Sequence, residues 1–331
     1  MSTAIEDCMT MTAVVHHRYG IAPEHAVRLA TVPRPTAGPG EVLVRVEAAS
    51  IDRGTWHIMA GRPYPIRLAG FGFRRPRHTN PGRSFCGTVA AIGPGVTGIA
   101  HGDAVFGVGR STLAEYAVAP ATKVATRPEH LSVQSAAAMP ISGLTALQAV
   151  RDHGRVRRGQ QVLVIGGTGG VGGFAVQLAK AAGATVTAMV SAAATETARI
   201  LGADHTLDYR HDELPQNHCY DVILDTAGNR PNAQLRRALA PRGRLVIIGG
   251  ETGGRWLDGI DRQMRATVMS PFTSQSLVMQ FPSENSEDLR ELAESGVAPL
   301  IDSRYPLGDS AAAIRHLLDG HPRGKIVVNV P

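Results

Sequence analysis

The chain has 331 residues, 43% hydrophobic and 19% charged, which excludes disorder and fits two domains of the usual ~100 to 200 residues. No apolar run reaches membrane-spanning length, and Glu6 and Asp7 stand where a signal peptide carries positive charge, so a soluble cytoplasmic protein with no membrane partner is expected. Three scattered cysteines, Cys8, Cys86 and Cys219, allow neither a disulfide framework nor a cysteine-rich zinc lobe. The formal net charge of +6 is equalled by the single stretch 61–83, which holds Arg62, Arg67, Arg74, Arg75, Arg77 and Arg83 and no acid. That run is either an ordinary loop of a chain that uses arginine almost everywhere in place of lysine, or a positive field that draws a phosphorylated ligand.

Taken in order, the first 125 residues or so read as β-rich. Apolar or alternating runs at 41–48 and 88–93 lie between glycine and proline clusters at 38–40, 63–65 and 93–98, and no helix of ordinary length declares itself. After Pro128 the texture changes: 132–139 is alanine-rich behind a serine N-cap, and 142–150 continues with helical spacing. Strand, glycine turn and helix then repeat. Strands are expected at 161–165, 185–190, 221–224 and 244–248, and helices at 174–182 and 195–201. Short Val, Ile and Leu runs without alternation, interleaved with helices, mark a parallel sheet covered on both faces, hence a doubly wound α/β domain. Past residue 270 come a helix at 287–295, an extended 299–307, a helix at 310–318 and a last strand at 325–330. This tail is too short to fold alone and must pack on the N-terminal β-rich part or on the sheet edge. The divisions expected are a β-rich domain 1–126, a nucleotide-binding domain 127–270 and a C-terminal return 271–331.

Gly167, Gly169 and Gly172 form Gly-x-Gly-x-x-Gly between an apolar strand and a helix, the setting a dinucleotide fingerprint requires. Absent side chains let the backbone approach a pyrophosphate, and unpaired amides at a helix N-terminus attract it. An NAD site places a carboxylate at the end of the second strand to accept from the ribose hydroxyls. Here Val190 is followed by Ser191, Ala192 and Ala193, with no acid before Glu196. A 2'-phosphate is therefore not repelled and Ser191 can donate to it; Tyr209 with Arg210, past the third strand, is placed to border the adenine end, Arg210 being equally an ordinary solvated charge.

At these residues the chain resembles the medium-chain dehydrogenase/reductase superfamily, in its zinc-free, quinone-oxidoreductase-like branch. The similarity runs from Met11-Thr-Ala-Val-Val to Gly324-Lys-Ile-Val-Val, through Ala48-Ala-Ser-Ile-Asp52, Pro81-Gly-Arg-Ser-Phe-Cys-Gly87, Gly143-Leu-Thr-Ala146, Gly166-Gly-Thr-Gly-Gly-Val-Gly172, Leu201-Gly-Ala-Asp204 and Asp221-Val-Ile-Leu-Asp-Thr-Ala-Gly228. Residues 1–10 precede it and are expected to be an extra tail or the product of an upstream start codon. The resemblance implies a GroES-like catalytic domain, a Rossmann domain, NADPH as cofactor, a small-molecule substrate and a homodimer. It places Thr145 at the nicotinamide end, Thr168, Gly169, Gly170, Val171 and Gly172 on the pyrophosphate, Ser191, Tyr209 and Arg210 at the adenosine phosphate, and Gly249 and Lys325 along the nicotinamide side. Zinc-dependent relatives need three ligands where this chain has Asp52, Arg83 and about Ala138, so hydrogen bonds must stabilise a developing oxyanion. That favours activated acceptors, namely quinones and α,β-unsaturated carbonyls, over simple alcohols and aldehydes. Relatives carry Asn at position 52 and Asp at 55, an exchange of polar groups within one turn. Asp52 is thus a contact or acid in the site, or a plain turn residue. His57 and Tyr64 are further proton-donor candidates, His57 being equally a half-buried histidine with a backbone partner. Cys86 reads as core. A nucleic-acid-binding role through 62–83 is disfavoured, because only Tyr64, Phe71 and Phe73 are there to stack bases.

Overall fold

The computed structural model describes residues 9–250, 256–257, 259–319 and 322–331. It divides into two compact units, one running to Ile141 and resuming at Glu284, the other spanning Ser142–Ser283. Of the N-terminal tail, residues 1–8 lie outside the described residues, and Thr10 already opens the first strand.

In the first unit, β1 (Thr10–Val15) pairs antiparallel with β2 (Arg28–Pro33), the short helix α1 (Pro23–Ala26) lying between them in sequence. A long strand, β3 (Glu41–Ile51), then organises the main sheet with β4 (Ser84–Ile92), β5 (Ala104–Val108), β6 (Tyr116–Pro120) and β7 (Val124–Thr126). Phe85, Val44, Val46, Leu113 and Ile326 sit in its core. Between β3 and β4 runs α2 (Arg53–Ala60), a helix of eight residues. The sequence hides it: Gly54 and β-branched Thr55 weaken the first turn, and the cap, not propensity, starts it. The helix α3 (Val133–Ala138) is capped by Ser132, whose Oγ accepts from the Ser135 amide at 3.1 Å.

The second unit takes in all but the first two residues of α4 (Pro140–Gln148), then β8 (Gln161–Ile165), α5 (Gly172–Ala181), β9 (Thr185–Val190), α6 (Thr195–Ile200), β10 (His205–Asp208), β11 (Tyr220–Asp225), α7 (Asn232–Ala238), β12 (Leu239–Ile247), α8 (Ile260–Met269) and β13 (Ser276–Met279). Among the described residues its six strands are all parallel, in the order β10-β9-β8-β11-β12-β13. This is the strand order of a Rossmann sheet, in which ligands bind beyond the carboxyl ends of the strands. Leu163, Ile165, Ile223, Leu245 and Ile247 are buried in its core, as the unalternating apolar runs require.

The chain returns to the first unit through α9 (Ser286–Glu294), β14 (Ile301–Pro306), α10 (Ser310–Asp319) and β15 (Lys325–Asn329). β15 pairs antiparallel with β3, Ile326 opposite Ile51, and parallel with β14. Both divisions fall further along the chain than the expected 127 and 271. α3 packs on β3 and β4 and so stays with the first sheet, while β13 extends the parallel sheet beside β12 and carries the second unit to Ser283.

Candidate dinucleotide site and the buried Asp52–Lys325 pair

Within the second unit, the glycine turn leaves β8 at Ile165. Gly166 takes φ +80°, and its amide donates to the Met189 carbonyl of β9 at 3.0 Å. The Gly169 amide donates back to Gly166 O at 2.9 Å, and a Cβ on Gly172 would lie 2.0 Å from that same oxygen. Only glycine fits there. Thr226, just past β11, donates from its hydroxyl to Ile165 O at 2.6 Å and so locks the turn to the neighbouring strand end. Thr168 is buried, Gly169, Gly170 and Val171 are half-buried, and the Val171 cap position makes no side-chain capping bond. Among the described residues, the amides of Thr168, Gly170 and Val171 donate to no carbonyl, which leaves them at the head of α5 with its positive dipole end. The turn therefore fits a pyrophosphate: it is glycine apart from Thr168 and Val171, rigid and lined with donors.

At the end of β9, Ser191 opens the next turn without capping it, and the Tyr209 amide beyond β10 donates to Val190 O at 3.0 Å. Ser191 and Tyr209 thus stand side by side. Arg210 lies over the Tyr209 ring at 5.5 Å, with Nε donating to the phenol oxygen at 3.3 Å. A second cation, missed from the sequence, joins them: Arg230 donates to Tyr209 O at 3.2 Å. It follows β11 by five residues, so the rule that ligands lie beyond the carboxyl ends of parallel strands was the signal that could have found it.

A buried ion pair supports the ends of β11 and β12. Asp225 is fully buried, with Arg262 of α8 at 2.8 Å, and accepts from the Gly228 amide at 2.9 Å. Burial raises the Asp225 pKa and the Arg262 guanidinium opposes the shift. Arg262 also donates to Arg230 O at 2.9 Å and to Gly249 O at 3.2 Å, while the Gly249 amide donates to Asp225 O at 3.0 Å. Thr145 is buried on α4, its carbonyl accepting from Gln280 Nε2 at 2.7 Å, and Gln148 bonds Ser283 in both directions. α4 is thereby tied to the segment after β13.

The other candidates stand in the first unit. Asp52 caps α2: its Oδ1 accepts from the Thr55 amide at 3.1 Å, and its own amide donates to Thr55 Oγ1 at 3.4 Å. The exchange of polar groups between positions 52 and 55 is thus an exchange within one reciprocal capping box, which needs an acceptor at each position. Asp52 Oδ2 lies 3.6 Å from Lys325 Nζ, and the Lys325 side chain is only 2% exposed. Burial lowers the Lys325 pKa, and Asp52 opposes that shift. The partners, 273 positions apart in sequence, are brought together by the β15–β3 pairing, which no local pattern reveals. His57 Nδ1 donates to Arg62 O at 2.8 Å, the backbone partner that a half-buried histidine finds. Tyr64 stacks under Arg67, 4.8 Å from the guanidinium carbon. Cys86 is buried in β4 and its thiol is pushed up to about 12, the state of a core residue and not of a nucleophile.

The residues that the resemblance sets at the zinc positions of metal-dependent relatives, Asp52, Arg83 and about Ala138, do not fit a metal here. Asp52 faces a lysine, Arg83 is bound to Glu284 at 2.8 Å, and Ala138 is buried and has no donor.

The sequence matches the alcohol dehydrogenase GroES-like domain family over residues 38–129 and the zinc-binding dehydrogenase family over 201–328. It is 33% identical to the chloroplast envelope quinone oxidoreductase homolog of Arabidopsis thaliana, over 90% of this chain and 92% of that one. Among solved structures, the quinone oxidoreductase of Coxiella burnetii superposes with a TM-score of 0.84 at 26% identity, covering 97% of this chain and all of that one. A mycobacterial protein complexed with NADPH does so with a TM-score of 0.77 at 27% identity, covering 96% and 99%. With a Rossmann sheet, a GroES-like unit and relatives matched over nearly the full length, the chain belongs to the medium-chain dehydrogenase/reductase superfamily of oxidoreductases, in its quinone-oxidoreductase-like branch.

Proposed function

We propose that the chain is an NADPH-dependent oxidoreductase that passes hydride to quinones or α,β-unsaturated carbonyl compounds without a metal. The observation that carries the cofactor choice is the end of β9: Ser191 in place of an acid, with Tyr209, Arg210 and Arg230 beside it. A 2'-phosphate placed there meets a hydroxyl and two cations, whereas an NAD ribose finds no carboxylate to accept from its hydroxyls. When bound, NADPH supplies the hydride. The protein supplies the rest: free amides of the glycine turn hold the pyrophosphate, and the Asp225–Arg262 pair fixes the loop ends at Gly249 and Arg230. Activated acceptors suit this chain because residues that do not fit zinc cannot polarise an isolated carbonyl, while charge delocalised into an enolate or hydroquinone needs only hydrogen bonds. With Asp52 committed to cap and counter-ion, and His57 to a carbonyl, Tyr64 or solvent is the proton source.

A homodimer is part of this proposal. Among the described residues β13 is an edge strand with one neighbour, and Met264, Val268, Met269, Phe272 and Phe281, exposed on either side of it in sequence, would be covered by a second copy meeting the same edge. The test of the activity is an NADPH-oxidation screen over quinones, enones and simple aldehydes after exhaustive chelation. Turnover of the first two classes, undiminished by chelation, is the expected result. Turnover of aldehydes alone, lost together with one bound zinc per chain, overturns the proposal.

A further inference from the structure

The arginine-rich stretch supplies none of the residues assigned to the nucleotide site, and we propose that its loop docks the protein onto anionic lipid surfaces. Two of its six arginines are occupied. Arg83 is paired with Glu284, and Arg67 lies between the Tyr19 and Tyr64 rings, 4.4 and 4.8 Å from their centres, while Nε donates to Gly61 O at 2.8 Å. These contacts pin the base of the loop. The Tyr19 hydroxyl adds to them, reaching Phe71 O at 2.8 Å and Gly72 O at 2.6 Å.

Above the pin the chain turns sharply. Gly72 takes φ +107°, a Cβ there would lie 2.1 Å from Arg75 O, and the Arg77 amide closes the turn onto Phe71 O at 2.8 Å. The tip thus formed carries Phe73, Arg74 and Arg75, with Arg77 at its base. Phe73 is 67% exposed and Leu68, on the preceding turn of helix, 76%, while Arg74, Arg75 and Arg77 are all exposed. A held loop that displays a phenyl ring and a leucine among cations, with no acid between residues 61 and 83, matches a boundary where anionic headgroups meet acyl chains.

Charge alone would equally suit a nucleic acid, but the aromatics argue against it. Tyr19 and Tyr64 are already covered by Arg67, Leu68 has no face on which a base could stack, and Phe71 is half-buried, which leaves Phe73 as the one exposed ring of the stretch. The expectation of no membrane partner rested on the lack of a spanning segment. No helix among the described residues is long and apolar enough to cross a membrane, and that bears on crossing, not on attachment at the surface. The proposal stands whichever acceptor the enzyme reduces.

The test is co-sedimentation of the full chain with vesicles of phosphatidylcholine, with and without phosphatidylglycerol. Binding is expected only with the anionic lipid and should weaken as salt rises. Replacing Arg74, Arg75 and Arg77 together by Gln should weaken it about a hundredfold, at roughly fivefold per arginine, and Phe73→Ser should weaken it further at high salt. Both variants change exposed residues and should keep the thermal midpoint and turnover in solution. Equal binding to both vesicle types, binding by the triple variant at the wild-type level, or retention of single-stranded DNA by a protein that ignores vesicles would overturn the proposal.

Discussion

Asp52→Asn separates the two jobs of the residue that links α2 to β15. Lys325 Nζ lies 3.6 Å from Asp52 Oδ2, and at an effective dielectric of ~20 a unit pair at that distance interacts by roughly 5 kcal/mol. Asn caps a helix about as well as Asp, so the variant keeps α2 capped and removes only charge. The lysine must then stay charged without its partner or give up its proton. At pH 7 deprotonation costs about 5 kcal/mol, from ~1.36 kcal/mol for each unit below the ordinary lysine value. Loss of one partner from a buried pair costs about 3 to 5 kcal/mol, and a deficit of about 3 to 4 kcal/mol at pH 7 is expected here.

The pH dependence carries the sign. Burial lowers the Lys325 pKa from 10.5, so the unfolded chain binds this proton more tightly than the folded one. Stability therefore rises with pH between the lowered value and 10.5, and it rises more steeply in the variant, where no carboxylate opposes the shift. Urea unfolding at a series of pH values should show the deficit shrinking to about 1 kcal/mol near pH 10. Lys325→Met, which removes the titrating group, should show no such trend across the same window. A deficit equal at pH 7 and pH 10, or one under about 1 kcal/mol at pH 7, would refute the account of a buried cation held by Asp52.

At the nucleotide site, Ser191→Asp should reverse the preference for NADPH in kcat/KM, and Arg230→Gln should weaken calorimetric binding of 2',5'-ADP about tenfold or more while leaving 5'-AMP unchanged. Equal loss for both ligands would mean that Arg230 only shapes the loop. Gly172→Ala should abolish binding of either dinucleotide in the same titration, because its methyl would lie 2.0 Å from Gly166 O; wild-type affinity would show that the turn yields. Phe272→Asp should convert a dimer into monomer by light scattering, and an unchanged mass would place the interface elsewhere.

The parallel sheet was legible because its strands are short, buried on both faces and punctuated by glycine: 161–165 and 185–190 match β8 and β9 to the residue. Elements whose existence rests on tertiary packing were not. α8 carries Arg262, Arg265 and Met264 on a polar sequence and is anchored by the Asp225 pair; β13 has only four residues and is held by register with β12. In the candidate site, Thr168 to Gly172 and Ser191 could be proposed from the sequence because they adjoin a strong motif. Groups joined across the fold were not: Arg230 meets Tyr209 from 21 residues away and Lys325 meets Asp52 from 273. The same limit explains the shift of both domain divisions, since α3 and β13 declare their sheet by packing, not by composition.

Arg262 shows why a buried ion pair is retained where an apolar contact would stabilise as well. A planar guanidinium has five donors in a fixed fork, and this one reaches Asp225, Arg230 O and Gly249 O, so one side chain sets the ends of two strands at once. Arg262→Lys keeps the charge and loses the fork, so it should fold while binding 2',5'-ADP more weakly. Arg262→Met leaves Asp225 buried and unpaired, at a cost of about 3 to 5 kcal/mol. The Asp225 pKa, raised by burial already, rises further once the guanidinium is gone. The folded state then holds a proton that the unfolded chain releases, so the deficit grows as pH climbs above the ordinary carboxylate value of 3.8 and is smaller near pH 5 than near pH 8. Adding Asp225→Asn to Arg262→Met removes the stranded charge and should recover much of the stability without restoring nucleotide affinity. If Arg262→Lys binds 2',5'-ADP as the wild type does, the fork holds the fold alone and the loop ends at Arg230 and Gly249 are set by their backbones.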